Sequence, residues 1–243
     1  MKPHSPETGA FIGTAGWSVP RKVAEDFAET GSGLARYASV FNAVEINSTF
    51  YRRHRPQTFE RWRDSVPEGF RFAVKIPQAI THEARMRNVG AAFEAFLGDI
   101  GGLGVKLGPL LCQLPPSLPF TAPGVAEGLR TLRAAFYGML VIEPRHPTWA
   151  GEEASALLKD LSIPRVLADP PVIEAEATPL YIRLHGKPKV YYSAYEVSEI
   201  ADFAARLAPD GWCIFDNTAS GAAIENALTM LAIRRGTLAT AKG

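Results

Sequence analysis

Cysteine is scarce: two in 243 residues, Cys112 and Cys213, each inside an apolar run of strand character. That excludes a disulfide-stapled scaffold and reads as two reduced core thiols, neither set up as a nucleophile, in a cytoplasmic protein. Charge of one sign is also lacking. Lys plus Arg number 26 against 25 Asp plus Glu, a formal net charge of +1, so no global field draws the chain to a polyanion or a membrane surface. No apolar run is long enough to span a bilayer, and the opening MKPHSPETG has no apolar stretch of the export type; a soluble, unexported chain with no membrane partner is expected. There is no internal repeat, low-complexity linker or charge block to mark a boundary. One domain over 1–243 is therefore expected, ordered from about 10 to 234 between frayed tails. With no G-x-G-x-x-G after a strand and no H-x-H or H-E-x-x-H, no cofactor is predicted.

What is present is apolar material, 47% of the chain against 21% charged, as expected of a folded globular protein. Eight short runs rich in β-formers recur along it: FIGT at 11, AVEI at 43, FRFAVK at 70, LLCQL at 110, LVIE at 140, RVLA at 165, LYIRL at 180 and WCIF at 212. Amphipathic segments with three- and four-residue apolar spacing fill the gaps, among them PQTFERWRDSV with Pro56 at a first helical position. One gap is defective: DPPVIEAEATP, between the sixth and seventh runs, has too much proline for a full helix. Eight such units predict an α/β (β/α)8 TIM-type barrel with the helix between strands 6 and 7 shortened or missing.

In such a barrel the C-terminal strand ends converge on one mouth, where catalytic side chains collect. The stretch LYIRLHG at 180–186 puts Arg183 and His185 two apart, hence on one face of a strand. The other exits supply Glu45 and Asn47, with Tyr51 beyond; Lys75; Gln113; Glu143 and Arg145, with His146 and Trp149 further out; Asp169; and Asp216, Asn217 and Thr218. Proline follows several of these residues and stiffens their loops, as in LPP, EPRHP and DPP. A bland alternative stands beside the functional one: a self-satisfied ion-pair network plugging the barrel, for instance Glu45 or Glu143 with Arg145 or Arg183. Two turns point to an anion, HGK with Gly186 and NTASG before the last helix, where backbone N–H groups of such barrels grip phosphate. Thr218 or Ser220 as a plain helix cap is the competing reading.

TAGWS, YASVFNAVEINSTFYR, GFRFAVKIPQAITH, LGPLLCQLPPS, EPRHPTW, ADPP, YIRLHG and FDNTASGAAIENAL together resemble the YecE-like family, domain of unknown function 72, in that family's order. The resemblance implies a (β/α)8-type barrel and carries the family's polar motifs onto the residues above, with Thr49 and His82 added. Two departures occur: EPRHP stands where the family often has EFRHP, and FDNT where it often has FNNT. By analogy with barrel endonucleases acting at DNA lesions, the resemblance also implies nucleic acid as an alternative partner.

The leading expectation is acid–base chemistry of hydrolase or isomerase type on a small anionic or polyhydroxylated molecule. Glu45, Glu143 and Asp169 would be the proton-handling carboxylates and His185 a shuttle; Lys75, Arg145 and Arg183 would hold the anion. Asn47, Tyr51, Gln113, His146, Trp149, Gly186, Asp216, Asn217 and Thr218 would complete the binding site. The alternatives are a divalent-metal nuclease-like enzyme and a non-catalytic metabolite-binding module. No long apolar stripe marks an outer helix face, so a monomer is expected.

Overall fold

The computed structural model describes residues 9–174 and 176–238. Eight strands form: β1 (Phe11–Thr14), β2 (Ala43–Ile46), β3 (Arg71–Lys75), β4 (Leu107–Gln113), β5 (Leu140–Glu143), β6 (Leu167–Asp169), β7 (Tyr181–Leu184) and β8 (Trp212–Phe215). They alternate with α1 (Gly33–Tyr37), α2 (Pro56–Asp64), α3 (Gly90–Ile100), α4 (Val125–Ala135), α5 (Glu152–Asp160), α6 (Val197–Arg206) and α7 (Ala222–Arg234). Among the described residues no helix joins β6 to β7, in keeping with the prolines of that stretch. The closing stretch from 234, expected to fray, begins inside α7; residues 1–8 and 239–243 of the expected tails lie outside the described residues.

All ladders are parallel, in two four-stranded arcs ordered β1-β8-β7-β6 and β2-β3-β4-β5. The arcs meet at two thin seams, each holding one bridge, Ala15 with Glu45 and Ile142 with Arg165. The ring is thereby a TIM-type barrel. At the β1–β2 seam side chains replace the missing ladder. Asn42 accepts from the Ile12 amide and donates to the Ala10 carbonyl, both at 2.9 Å. Tyr37 of α1 accepts from the Thr14 amide and donates to the Ala43 carbonyl, again at 2.9 Å. Gly13 permits this approach: a Cβ there would lie 2.1 Å from the Ala43 carbonyl oxygen.

The barrel interior is filled in layers. Lowest is an apolar plug of Ala43, Ala73, Leu111, Val141, Val166, Tyr181, Trp212 and Ile214, in which the Trp212 ring stacks on Phe11 at 4.7 Å and lies parallel to Tyr181 at 6.2 Å. Small Ala43 and Ala73 face the large aromatics, so the lumen is packed and has no bore. Outward residues such as Val44, Ile46, Ile182 and Leu184 join the larger core beneath the helices. No helix among the described residues is long and apolar enough to cross a membrane.

Candidate functional site at the barrel mouth

Above the apolar plug the inward positions turn ionic. Arg183 sits at the centre. Its Nε and Nη2 donate to Glu45 at 2.7 to 3.2 Å, its Nη1 donates to Glu143 Oε2 at 3.3 Å, and its Nη2 lies 3.0 Å from Asp216. Tyr181, two residues earlier on the same face, donates its hydroxyl to Glu45 at 2.8 Å. Arg145 donates to Glu143 through Nε at 2.7 Å and faces His185 Nε2 at 2.6 Å. A guanidinium only donates, so that ring nitrogen accepts; Nδ1 then donates to Asp216 at 2.9 Å, which fixes the tautomer. Glu45, Glu143, Arg183 and His185 are sealed from solvent.

This is the self-satisfied network the sequence allowed as the bland alternative, and it assigns every oxygen pair to a cation or hydroxyl. Burial alone would raise the Glu143 pKa. The charges of Arg183 and Arg145 outweigh burial and hold that carboxyl well below the usual range. Asp216 is lowered in the same way, against burial, by Arg183 and His185. Glu45 and Glu143, expected as acid and base, are both closed to solvent and paired with Arg183, Glu143 with Arg145 as well, and form the floor of the mouth.

Lys75 differs. It ends β3, opposite Leu111 in register and so facing inward. Only 5% of it is exposed. Its Nζ lies 4.0 Å from the centroid of the Phe50 ring, with no carboxylate or hydrogen-bond acceptor in bonding reach among the described residues. Burial, then the charge of Arg183, lowers its pKa to about 8, although Glu45, Asp216 and Glu143 pull the other way. Beside it, His82 stands edge-on to the same Phe50 ring at 4.9 Å, its Nδ1 bonded to Thr81 Oγ1 at 2.8 Å. Burial and Lys75 lower its pKa too. Thr49, which the resemblance added, donates to the backbone carbonyls of Ile46 and Lys75 and so fixes the loop below Phe50.

Several expected site residues lie elsewhere. Asp169 pairs in register with Leu184, an outward position, while Ala168 takes the inward one beside Arg183; its carboxylate lies 3.5 Å from Lys187, outside the central network. Trp149 is buried on a short turn, Pro147–Ala150, and its indole donates to the Leu118 carbonyl at 3.0 Å. His146 caps that turn, accepting from the Thr148 amide. Tyr51 is 69% exposed. Gly186 has φ +87°, and a Cβ there would meet the Ser193 carbonyl at 2.5 Å. Its amide is spent on the Tyr195 hydroxyl at 2.9 Å.

The NTASG turn is likewise self-occupied. Ala219 donates to the Tyr191 carbonyl and Ala222 to Ser220 Oγ. Asn217 is buried against Ser193 and Asn226, Thr218 is exposed, and the cap of α7 is Gly221, neither Thr218 nor Ser220. The amides of Ala219, Gly221 and Ala222 are thus spent on acceptors within this part of the chain. Gln113, half-buried, pairs in register with Glu143.

Asn47 lies at the edge of a groove of about 640 Å³ walled by Trp17, Trp62 and Arg52, and its buried Oδ1 has no partner. Tyr191 covers the mouth: its ring stands edge-on to His185 at 5.8 Å, at φ +69°. A bulky side chain in the left-handed region is strained and needs surrounding contacts to hold it. The sequence carried a signal for Tyr181, which extends the period-2 pattern of Arg183 and His185, and none for the backbone of Tyr191. Among the described residues no group of three or more His, Cys, Asp or Glu side chains is placed to hold a metal ion.

Known proteins show the same chain plan. The UPF0759 protein YecE of Escherichia coli K12 is 33% identical over 166 residues, 65% of this chain and 58% of that protein, so the chain spans less than two thirds of this relative's length. A solved DUF72 family protein from Enterococcus faecalis V583 superposes with a TM-score of 0.78 at 21% identity, covering 95% of this chain and 96% of that one. The structure described as SacUVDE follows at a TM-score of 0.56 and 10% identity, covering 94% and 98%, a likeness of fold alone. The family model described as protein of unknown function DUF72 matches residues 11–241, and the chain belongs to that family.

Proposed function

We propose that the barrel mouth binds a small anionic substrate and performs proton-transfer chemistry on it, of hydrolase or isomerase type. The observation that carries this reading is Lys75: a nearly buried cation left without a carboxylate although three stand in the same layer. Burying a charge without a partner costs several kcal/mol, and an anionic ligand would remove that cost. Arg145, 15% exposed at its side chain, is the second cation open to the mouth. In this reading Arg183, Glu45, Glu143, His185 and Asp216 hold the geometry, and Lys75 is the group whose proton affinity suits exchange near neutral pH.

Thermal unfolding in phosphate, sulfate or citrate, against chloride at equal ionic strength, tests the reading. At a hundredfold excess over Kd a ligand contributes about 2.7 kcal/mol, roughly 5 to 10 °C in Tm for a chain of this size. Lys75→Met should abolish the response. Equal response to chloride, or an unchanged response in Lys75→Met, would refute it.

A phosphodiester ligand is the second reading, supported by the rim: Arg52, Arg53 and Arg55 are exposed in one short loop beside the mouth. Of these, Arg53 is already paired with Asp99. Single-stranded oligonucleotide binding that falls steeply between about 50 and 200 mM salt would favour this reading over a small anion.

A further inference from the structure

We propose that Lys75 is a nucleophilic amine that forms a protonated imine with an aldehyde or ketone bearing an anionic group. The inference rests on the reading of the mouth as a small-anion site and names the substrate class for it.

Its ground is the allocation of partners. Arg183 is consumed by Glu45, Glu143 and Asp216, while Arg145 shares Glu143 and keeps part of its side chain at the mouth. Among the other lysines, Lys22 meets Glu225, Lys106 meets the carbonyls of Arg63 and Val66, and Lys187 meets Asp169 and Glu199. Among the described residues Lys75 has only the Phe50 ring, and its ammonium is not one of the sealed, unpartnered polar atoms of the interior. Its tip therefore remains open to the mouth while its stem is packed. An amine so placed is desolvated, held in one position and free of competing bonds, which is what an attacking lysine requires. With its pKa lowered to about 8, roughly a tenth is free base at pH 7, against roughly one part in a few thousand for an ordinary lysine.

The step balances without any added oxidant or reductant. The Nζ lone pair forms a C–N bond to the carbonyl carbon, and the C=O π pair becomes the carbinolamine hydroxyl. The C–O bond then breaks and oxygen leaves as water, carrying two protons that the ammonium supplied. Ammonium plus carbonyl gives iminium plus water, with the positive charge kept on Nζ. That charge stays beside the face of Phe50 and in the field of Glu45, Glu143 and Asp216. An iminium at that point withdraws electrons from the neighbouring carbon, which serves isomerisation.

The test is reductive trapping of the full chain with borohydride and three probes: glycolaldehyde phosphate, pyruvate and acetaldehyde. The expected result is one adduct per chain on the Lys75 peptide with the two anionic probes, at least tenfold slower with acetaldehyde. The labelling rate should rise with a midpoint near pH 8, and Lys75→Arg should give no adduct at that peptide. Absence of an adduct, or labelling no faster than at exposed Lys159 and Lys189, overturns the proposal. Should Lys75→Arg not fold, acetic anhydride labelling of the wild-type chain against pH decides: a Lys75 midpoint as high as those of the surface lysines counts against it. Anion stabilisation without an adduct would retain the anion site and reject the imine. Neither response would reject both.

Discussion

Arg183 touches three carboxylates from three strands, so its removal and its neutralisation are different experiments. Arg183→Met leaves Glu45, Glu143 and Asp216 buried with one main counter-charge gone, and breaking such a network from one side costs about 3–5 kcal/mol. Adding Glu45→Leu should recover only part of this, because Glu143 and Asp216 stay short of a partner; urea unfolding of the single and double variants measures it. Lys75 predicts the opposite sign. Its proton affinity is lower folded than unfolded, so the unfolded chain binds more protons between about pH 8 and 10.5 and folding strengthens as pH rises through that window. Below pH 8 the wild type bears the full penalty, about 3 kcal/mol from a shift of this size. Lys75→Met should therefore be more stable than wild type at pH 7 and lose that advantage by pH 10.5. A variant less stable at pH 7 would show that the ammonium has a partner after all.

At the scale of elements the weak place is the seam between β1 and β2, where two side chains do the work of a ladder. Asn42→Ala orphans the Ile12 amide and the Ala10 carbonyl, and each unsatisfied buried group costs about 1–3 kcal/mol. A loss of roughly 2–4 kcal/mol is expected, with amide exchange at Ile12 and Thr14 accelerating before that of β7 and β8. Uniform acceleration across all strands would mean the seam does not open first. None of this was legible in the sequence, because Asn42 and Tyr37 look like ordinary helix and turn residues until the strands they bridge are placed. The eight strands themselves were legible from apolar runs, and the inward face of β7 from its alternation. Phase failed where a strand is too short to show it: β6 has three residues, and Asp169 fell on the outward parity. The burial of Trp149 was not legible either: it sits on the short turn opened by Pro147, with its indole inside. Which cation is left without a carboxylate depends on distances between strands far apart in sequence, and no spacing rule reports that.

The whole molecule carries nearly balanced charge, yet its ionic groups are not spread evenly: three carboxylates are locked into the mouth of the barrel at the expense of solvation. Burial disfavours their charge, but Arg183, His185 and Arg145 more than compensate, leaving Glu143 and Asp216 lower in proton affinity folded than unfolded. The unfolded chain takes up protons at these side chains near pH 4, while the folded barrel resists until well below that. Fewer protons on the folded state means that stability is complete above the unfolded pKa and drains away as pH falls toward the folded values. Two such groups give a slope of up to about 2.7 kcal/mol per pH unit once the unfolded chain is protonated. Urea unfolding between pH 6 and 2 should show a progressive loss of stability from this layer, little changed by added salt because the network is sealed. In Arg145→Met, Glu143 loses one of the charges that holds it ionised, so neutral stability should fall and the acid slope should become shallower. An acid slope as steep in Arg145→Met as in wild type would place the titrating groups outside the mouth, and with them the claim that this layer governs the acid stability of the barrel.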